Sequence, residues 1–203
     1  LGLRLRLDDA ATTRDIDIAS FEKLSLALGD TALPTVSEVL RDLSFEPLPD
    51  LDRTKVWRWR QSKSQTLIEF LTPSFDETEG IRELPALGVN ALSLHHLNYL
   101  IASPIAAAAV YRDGTLVHVP RPERFAIHKL IVADRRREGP DSLKATKDLL
   151  QAERLIQILT EDRPADLAEA YGDALSRGDR WRLRIENSLK RAPAIAELIK
   201  AAT

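Results

Sequence analysis

Thr13-Arg14-Asp15-Ile16-Asp17-Ile18-Ala19 sets two carboxylates one residue apart in a run where aspartate and isoleucine alternate. Successive side chains of a strand point to opposite faces. The stretch therefore predicts a buried β-strand with Asp15 and Asp17 on one face, and with Ile16 and Ile18 packed into the layer behind the other. A rise of roughly 3.3 Å per residue puts the two aspartate Cα atoms about 7 Å apart, near enough for both carboxylates to reach one hard divalent cation or to bridge two. Such a pair is a candidate Mg²⁺ (or Mn²⁺) site for phosphoryl chemistry. The same alternation is also the ordinary signature of a half-exposed strand, apolar inward and acidic outward.

The chain has 203 residues, enough for a sizeable core and a second lobe. Hydrophobic residues make up 44% and charged residues 30%, the balance of a globular protein rather than a disordered one. No apolar run approaches the roughly 20 residues that span a bilayer and no basic-then-apolar leader opens the chain, so the expected location is cytoplasmic, with no membrane partner. Cysteine is absent, which removes disulfides, thiolate nucleophiles and cysteine-type zinc sites and leaves carboxylates, histidines and hydroxyls for chemistry. Methionine is absent too, including at position 1, which predicts that the chain is a fragment or that modified residues fall outside the count. The net charge of -2 hides an asymmetry: residues 1–52 hold 5 basic against 11 acidic groups, and residues 121–147 hold 8 basic against 4 acidic. That division suits a metal site receiving a polyanion held from the other side, and equally two lobes that attract each other.

Outward from the aspartates, Leu1–Leu7 reads as a helix end or short strand and residues 8–13 as a polar loop. Phe21, Leu24 and Leu28 have helical spacing closed by Gly29. Thr35 or Ser37 caps a helix carrying Val36, Val39, Leu40 and Leu43, ended by Pro47 and Pro49. Lys55–Arg60, with Trp57 and Trp59 on one face, and Gln65–Leu71 form a hairpin about Gln61-Ser62-Lys63-Ser64. Glu69 is a charge inside an apolar run, costly unless paired or metal-bound, and so a third candidate carboxylate, with Arg58 or Arg60 as the alternative partner for its head. The spacing predicts a helix over Leu92–Ile101, strands over Ala106–Tyr111 and Leu116–Val119 joined through Gly114, and then helices over residues 121–137, 141–160, 165–177 and 180–202, the last broken near Pro193. Strands and helices mixed first, helices alone afterwards, give an α+β fold: a sheet domain over residues 1–119 followed by a C-terminal helical domain over 120–203.

Asp15, Asp17 and Glu69 on strands of one sheet resemble the nucleotidyltransferase fold of the DNA polymerase beta superfamily. Four blocks carry the likeness further: Thr13-Arg14-Asp15-Ile16-Asp17, Glu69-Phe70-Leu71-Thr72-Pro73, Val119-Pro120-Arg121-Pro122-Glu123-Arg124-Phe125-Ala126-Ile127-His128-Lys129-Leu130, and Lys144-Ala145-Thr146-Lys147-Asp148-Leu149-Leu150-Gln151-Ala152. In that order they span residues 13–152 and are similar to a bacterial nucleotidyltransferase-like family. One departure stands out. The superfamily usually has a Gly-Ser or Gly-Gly turn before its acidic pair to cradle the triphosphate, and here Gly2 is followed by Leu3. The expectation is that the turn lay in a missing N-terminus.

The resemblance implies a mixed sheet flanked by helices and a metal-dependent transfer of a nucleotidyl group from a nucleoside triphosphate to a hydroxyl on RNA, protein or a small molecule. It implies that Asp15 and Asp17 ligate the metal, and that Glu69 holds a second ion or takes the proton of the attacking hydroxyl. Lys129, Lys144 and Lys147 would neutralise phosphate oxygens; the plainer reading pairs Lys144 with Asp148 on an exposed helix face. His128 reads as a packing residue before a base, and His95, His96 and His118 lack zinc-site spacing. Arg135-Arg136-Arg137 complements a helix end, or touches a nucleic-acid backbone. The competing functions are a catalytically silent module that kept the fold, and one member of a toxin–antitoxin pair.

Overall fold

The computed structural model describes residues 15–21, 34–49, 55–75, 78–110 and 114–203. The expected elements at Leu1–Thr13 and Phe21–Leu28 lie outside the described residues, apart from Phe21 itself. Contacts divide the chain into two compact units, one of Thr13–Ile101 and one that holds Ala102–Thr203. The fold is α+β.

In the first unit, strands β1 (Asp15–Ala19), β2 (Phe45–Leu48), β3 (Arg58–Gln61), β4 (Leu67–Pro73), β5 (Gly80–Leu84) and β6 (Val89–Leu94) make one mixed sheet in the order β2-β3-β4-β6-β5, with β1 paired to β4. The β1–β4 and β4–β6 pairings are parallel; the other pairings are antiparallel. Strand β4 is the hub because its apolar run Leu67-Ile68-Glu69-Phe70-Leu71 can be buried on both faces. One face packs Ile68 and Phe70 with Trp59, Phe45, Leu84, Val89 and Ala91, and helix α1 (Val36–Asp42) adds Leu40 to this cluster. The other face gathers Leu71, Trp57 and Leu97, with Ala19, Leu92 and Leu94 against them. Of the two capping candidates, Thr35 and Ser37, it is Thr35 that caps α1: its hydroxyl accepts from the Glu38 amide at 3.3 Å while Glu38 accepts from the Thr35 amide at 2.7 Å. Gly88, at φ 64° after a 3₁₀ turn, closes on that cap so tightly that a Cβ there would lie 3.1 Å from the Thr35 Cβ.

Several expectations are corrected. Ile16 and Ile18 remain 50% and 40% exposed, so β1 is not a buried strand; it pairs only with β4 among the described strands. Leu92–Ile101 is not one helix but the end of β6 and a single turn, α2 (Leu97–Leu100). Leu92 and Leu94 face one cluster while Val89 and Ala91 face the other, and a strand buried on both sides loses the alternation that would distinguish it from a helix. Trp57 and Trp59 enter different clusters, because Trp57 lies just before the regular strand β3 begins at Arg58. Pro47, expected only to end a helix, sits within β2, which pairs with β3 alone among the described strands and so needs no ladder donor on its other edge.

The second unit holds the hairpin β7 (Ile105–Ala109) and β8 (Thr115–Val119), then helices α3 (Pro122–Arg135), α4 (Ser142–Asp162), α5 (Pro164–Ser176), α6 (Asp179–Arg191) and α7 (Pro193–Ala202). Proline opens α3, α5 and α7 at the first turn, where its missing N–H costs no intrahelical bond. Helix α3 packs against α4, α5 and α6, and buries Ala126, Ile127, Leu130, Ile131 and Ala133 completely. Polar ties reinforce this core. The buried Ser188 hydroxyl donates to the Leu130 carbonyl at 2.6 Å, and four carboxylates each receive two basic side chains. Glu123 meets Arg163 and Arg121, Asp134 meets Arg137 and Arg184, Asp148 meets Lys129 and Arg136, and Asp173 meets Arg124 and Arg177. The basic balance of residues 121–147 is thus largely used to satisfy acids within this unit.

Asp173 provides a test of that ion-pair chemistry. Burial pulls its pKa up, but the hydrogen bonds and charges of Arg177 and Arg124 outweigh this and leave it below the ordinary 3.8. A carboxylate depressed on folding contributes stability that is present above its unfolded value and lost as pH falls through the folded one. Urea denaturation followed from pH 6 to about pH 2 should show stability declining below about pH 4; in Asp173→Asn that decline should be shallower.

Candidate active site

The pairing of β1 with β4 decides which carboxylates share a face. The parallel register sets Asp17 opposite Glu69 and Asp15 opposite Leu67. Partners on neighbouring strands point the same way, and Asp15 has the parity of Asp17, so Asp15, Asp17 and Glu69 lie on one face of the sheet. The antiparallel β3–β4 register extends the row, with Arg58 opposite Glu69 and Arg60 opposite Leu67. Across three adjacent strands the order is Asp17, Glu69, Arg58. The Arg58 guanidinium also stacks 4.6 Å from the Trp57 ring centroid. The same face continues into the apolar cluster of Ala19, Leu71, Leu92 and Leu94 toward the C-terminal ends of β1 and β4.

Asp15 and Asp17 are exposed and Glu69 is half-buried. Among the described residues, no group of three or more His, Asp or Glu side chains stands close enough to hold a metal ion. The three acids share a face without converging as a ready-made cage. Their chemistry still suits a hard divalent cation: Mg²⁺ is usually bound through one or two carboxylates, with waters and substrate phosphate oxygens completing the shell, rather than by an all-protein cage. Asp15 with Asp17, or Asp17 with Glu69, supplies that number.

The lysines fall in the helical unit. Lys129 places its ammonium 2.7 Å from Asp148 Oδ1, and Arg136 holds Asp148 Oδ2 at 2.7 Å. Lys144 does not pair with Asp148 as the spacing suggests; it bonds Asp141 Oδ1 at 2.8 Å on the surface. The reason is that Asp148 faces inward, 3% exposed, toward α3, while Lys144 sits on the outer side of α4. Asp141 occupies the N-cap position of α4 but makes no side-chain cap bond, its carboxylate going to Lys144, which holds its pKa below the usual carboxylate value. Lys147 is exposed on α4. Sequence reasoning also passed over Glu79, which accepts the His95 amide at 2.7 Å and lies 3.1 Å from His95 Nδ1. A carboxylate sixteen residues away from a histidine leaves no periodic signal.

Carboxylates on a sheet face, in a chain without thiols, form a site of oxygen donors and charge, the equipment of phosphate-transfer proteins. Over residues 1–176 the chain matches a family described as Nucleotidyltransferase, and it belongs to that family. Its general chemistry is therefore transfer of a nucleotidyl group, with a nucleoside triphosphate as the substrate that membership implies. Neither a curated protein nor a solved structure matches the chain. No described helix is long and apolar enough to cross a membrane.

The two kinds of lysine environment should separate in stability measurements. Lys129→Met leaves Asp148 buried with one cation instead of two and is expected to lower unfolding free energy by about 2 kcal/mol. Lys144→Ala, which removes only a surface contact, should leave the urea midpoint unchanged.

Proposed function

We propose that the chain is a metal-dependent nucleotidyltransferase whose site is the Asp15, Asp17 and Glu69 face of the sheet. The observation that carries this reading is the Asp17–Glu69 register, which sets a carboxylate of β4 directly beside the β1 pair in a chain of nucleotidyltransferase family. Asp15 and Asp17 would hold Mg²⁺ or Mn²⁺ bound to the triphosphate. Such an ion supplies charge neutralisation on the phosphate oxygens. Glu69 would take the proton of the acceptor hydroxyl. The acceptor oxygen then bonds the α-phosphorus, the bond from that phosphorus to the β-phosphate bridging oxygen breaks, and pyrophosphate departs with the electron pair. Arg58 stands opposite Glu69 in the β3–β4 register and adds a positive charge to the same row.

In the helical unit Lys144 and Lys147 are exposed on α4, whereas Lys129 is engaged with Asp148. The acceptor is a hydroxyl on RNA, on protein or on a small molecule. The protein acts in a bacterial cytoplasm, through its domains at residues 1–119 and 120–203. The competing reading is a silent module that keeps the fold and binds without transferring.

Two measurements separate these readings. With α-labelled nucleoside triphosphates, Mg²⁺ and pools of RNA, protein and small hydroxyl compounds, the wild type should incorporate label. Asp15→Ala with Asp17→Ala should fall to the level without enzyme while its melting temperature holds. Calorimetric titration of Mn²⁺ with a triphosphate should give heat for the wild type and none for the double variant. Undiminished incorporation by the double variant would exclude the proposal.

A further inference from the structure

The starts of α3 and α5 meet around a cavity of about 70 Å³. We propose that this cavity is a binding site for a small zwitterion, an α-amino acid with a side chain no larger than that of alanine or serine. Arg121, Glu123 and Arg124 line it from the start of α3, and Asp166, Glu169 and Ala170 from α5. All six belong to the helical unit, so the site does not depend on the carboxylate face of the sheet.

Glu123 supplies the observation that calls for a ligand. Its side chain is 1% exposed, and its Oε2 accepts no hydrogen bond from any described residue. Oε1 is held by Arg163 Nη1 at 3.3 Å, whereas Arg121 Nε stands 3.7 Å from Oε2. Arg121 Nη2 is likewise 4.0 Å from Asp166 Oδ2, so its guanidinium lies between two carboxylates and hydrogen-bonds neither. A buried carboxylate oxygen without a donor is costly, and a polar gap wider than about 3.5 Å is one that a bridging group fills. The two unmet needs are opposite in kind. Glu123 Oε2 lacks a donor, which an ammonium supplies, and Arg121 lacks an acceptor, which a carboxylate supplies at two points. An α-amino acid carries both groups on one carbon. Neither sign prevails among the cavity's charges and the partners they bond: Glu123, Asp166, Glu169 and Asp173 stand against Arg121, Arg124, Arg163 and Arg177. A ligand of no net charge suits that balance. The first turn of α3, which follows Arg121, adds the positive end of a helix dipole and favours the ligand's carboxylate on that side. The volume is that of about two waters at roughly 30 Å³ each, which restricts the ligand to the smallest amino acids.

Isothermal titration of the full chain with glycine, L-alanine and L-serine tests the site, with acetate and methylammonium as single-charge comparisons. The wild type should take up one amino acid per chain and bind acetate or methylammonium at least about tenfold more weakly, the loss expected for one charged hydrogen bond. Glu123→Gln, which removes the charge and keeps the volume, should weaken alanine binding at least about tenfold, and so should Arg121→Gln. Should Glu123→Gln fail to fold in circular dichroism melting, Arg121→Gln, at a side chain 38% exposed, still decides the matter. Lys200→Gln, on α7, should bind alanine as the wild type does. The proposal is overturned if none of the three amino acids binds, which would leave the cavity to water only. It is equally overturned if acetate or methylammonium binds as tightly as alanine, if a folded Glu123→Gln or Arg121→Gln keeps the wild-type affinity, or if Lys200→Gln loses as much as they do.

Discussion

The parallel pairing of β1 with β4, with Asp17 opposite Glu69, is the constraint from which the rest of the candidate site follows. Side chains of a strand alternate with a period of two, so a slip of one residue would carry Asp15 and Asp17 to the opposite face and set Ile16 or Ile18 beside Glu69. The register holds because β4 is anchored on both faces: Ile68 and Phe70 in one cluster and Leu71 in the other. A charge in the middle of such a strand is tolerated because Glu69 is only half-buried and stands beside the arginine-bearing strand β3.

Charge is handled differently in the two units. On the sheet, acids collect on one face, two of them exposed, where a cation and a polyphosphate can reach them. In the helical unit, Glu123, Asp134 and Asp148 are buried, and each takes two cations. Breaking one partner of a buried pair is costly even where the intact pair gives little net stability, so these contacts act chiefly to specify which helix faces meet. The asymmetry in the sequence therefore does not translate into a free basic lobe waiting for a polyanion.

Much of this was legible in the residues. The Asp15–Asp17 alternation predicted a strand with a shared acidic face, Thr35 or Ser37 marked a helix start that the structure places at Thr35, and Pro193 predicted the break between α6 and α7. The family likeness rested on blocks that fall on β1, β4, α3 and α4, and the chain is a nucleotidyltransferase family member. What escaped was set by tertiary contact. The β6 strand resembled a helix because both its faces are apolar. Lys144 was given to Asp148 on helical spacing, but spacing does not say which of two acids a lysine meets when one of them turns inward. Strand β5, Gly80–Leu84, pairs antiparallel with β6 across the short 3₁₀ turn, and its Arg82 and Glu83 concealed it.

Helix α3 has neighbours on three sides, α4, α5 and α6. None of these can swing away without uncovering side chains that are wholly buried, such as Ile127, Leu130 and Ile131, and each is also tied to α3 through an ion pair or hydrogen bond. Partial opening of the bundle is therefore nearly as costly as losing it altogether. The amide protons along the middle of α3 should exchange with deuterium only through whole-unit unfolding, at a single common free energy, while those of the terminal helix α7 exchange through fraying.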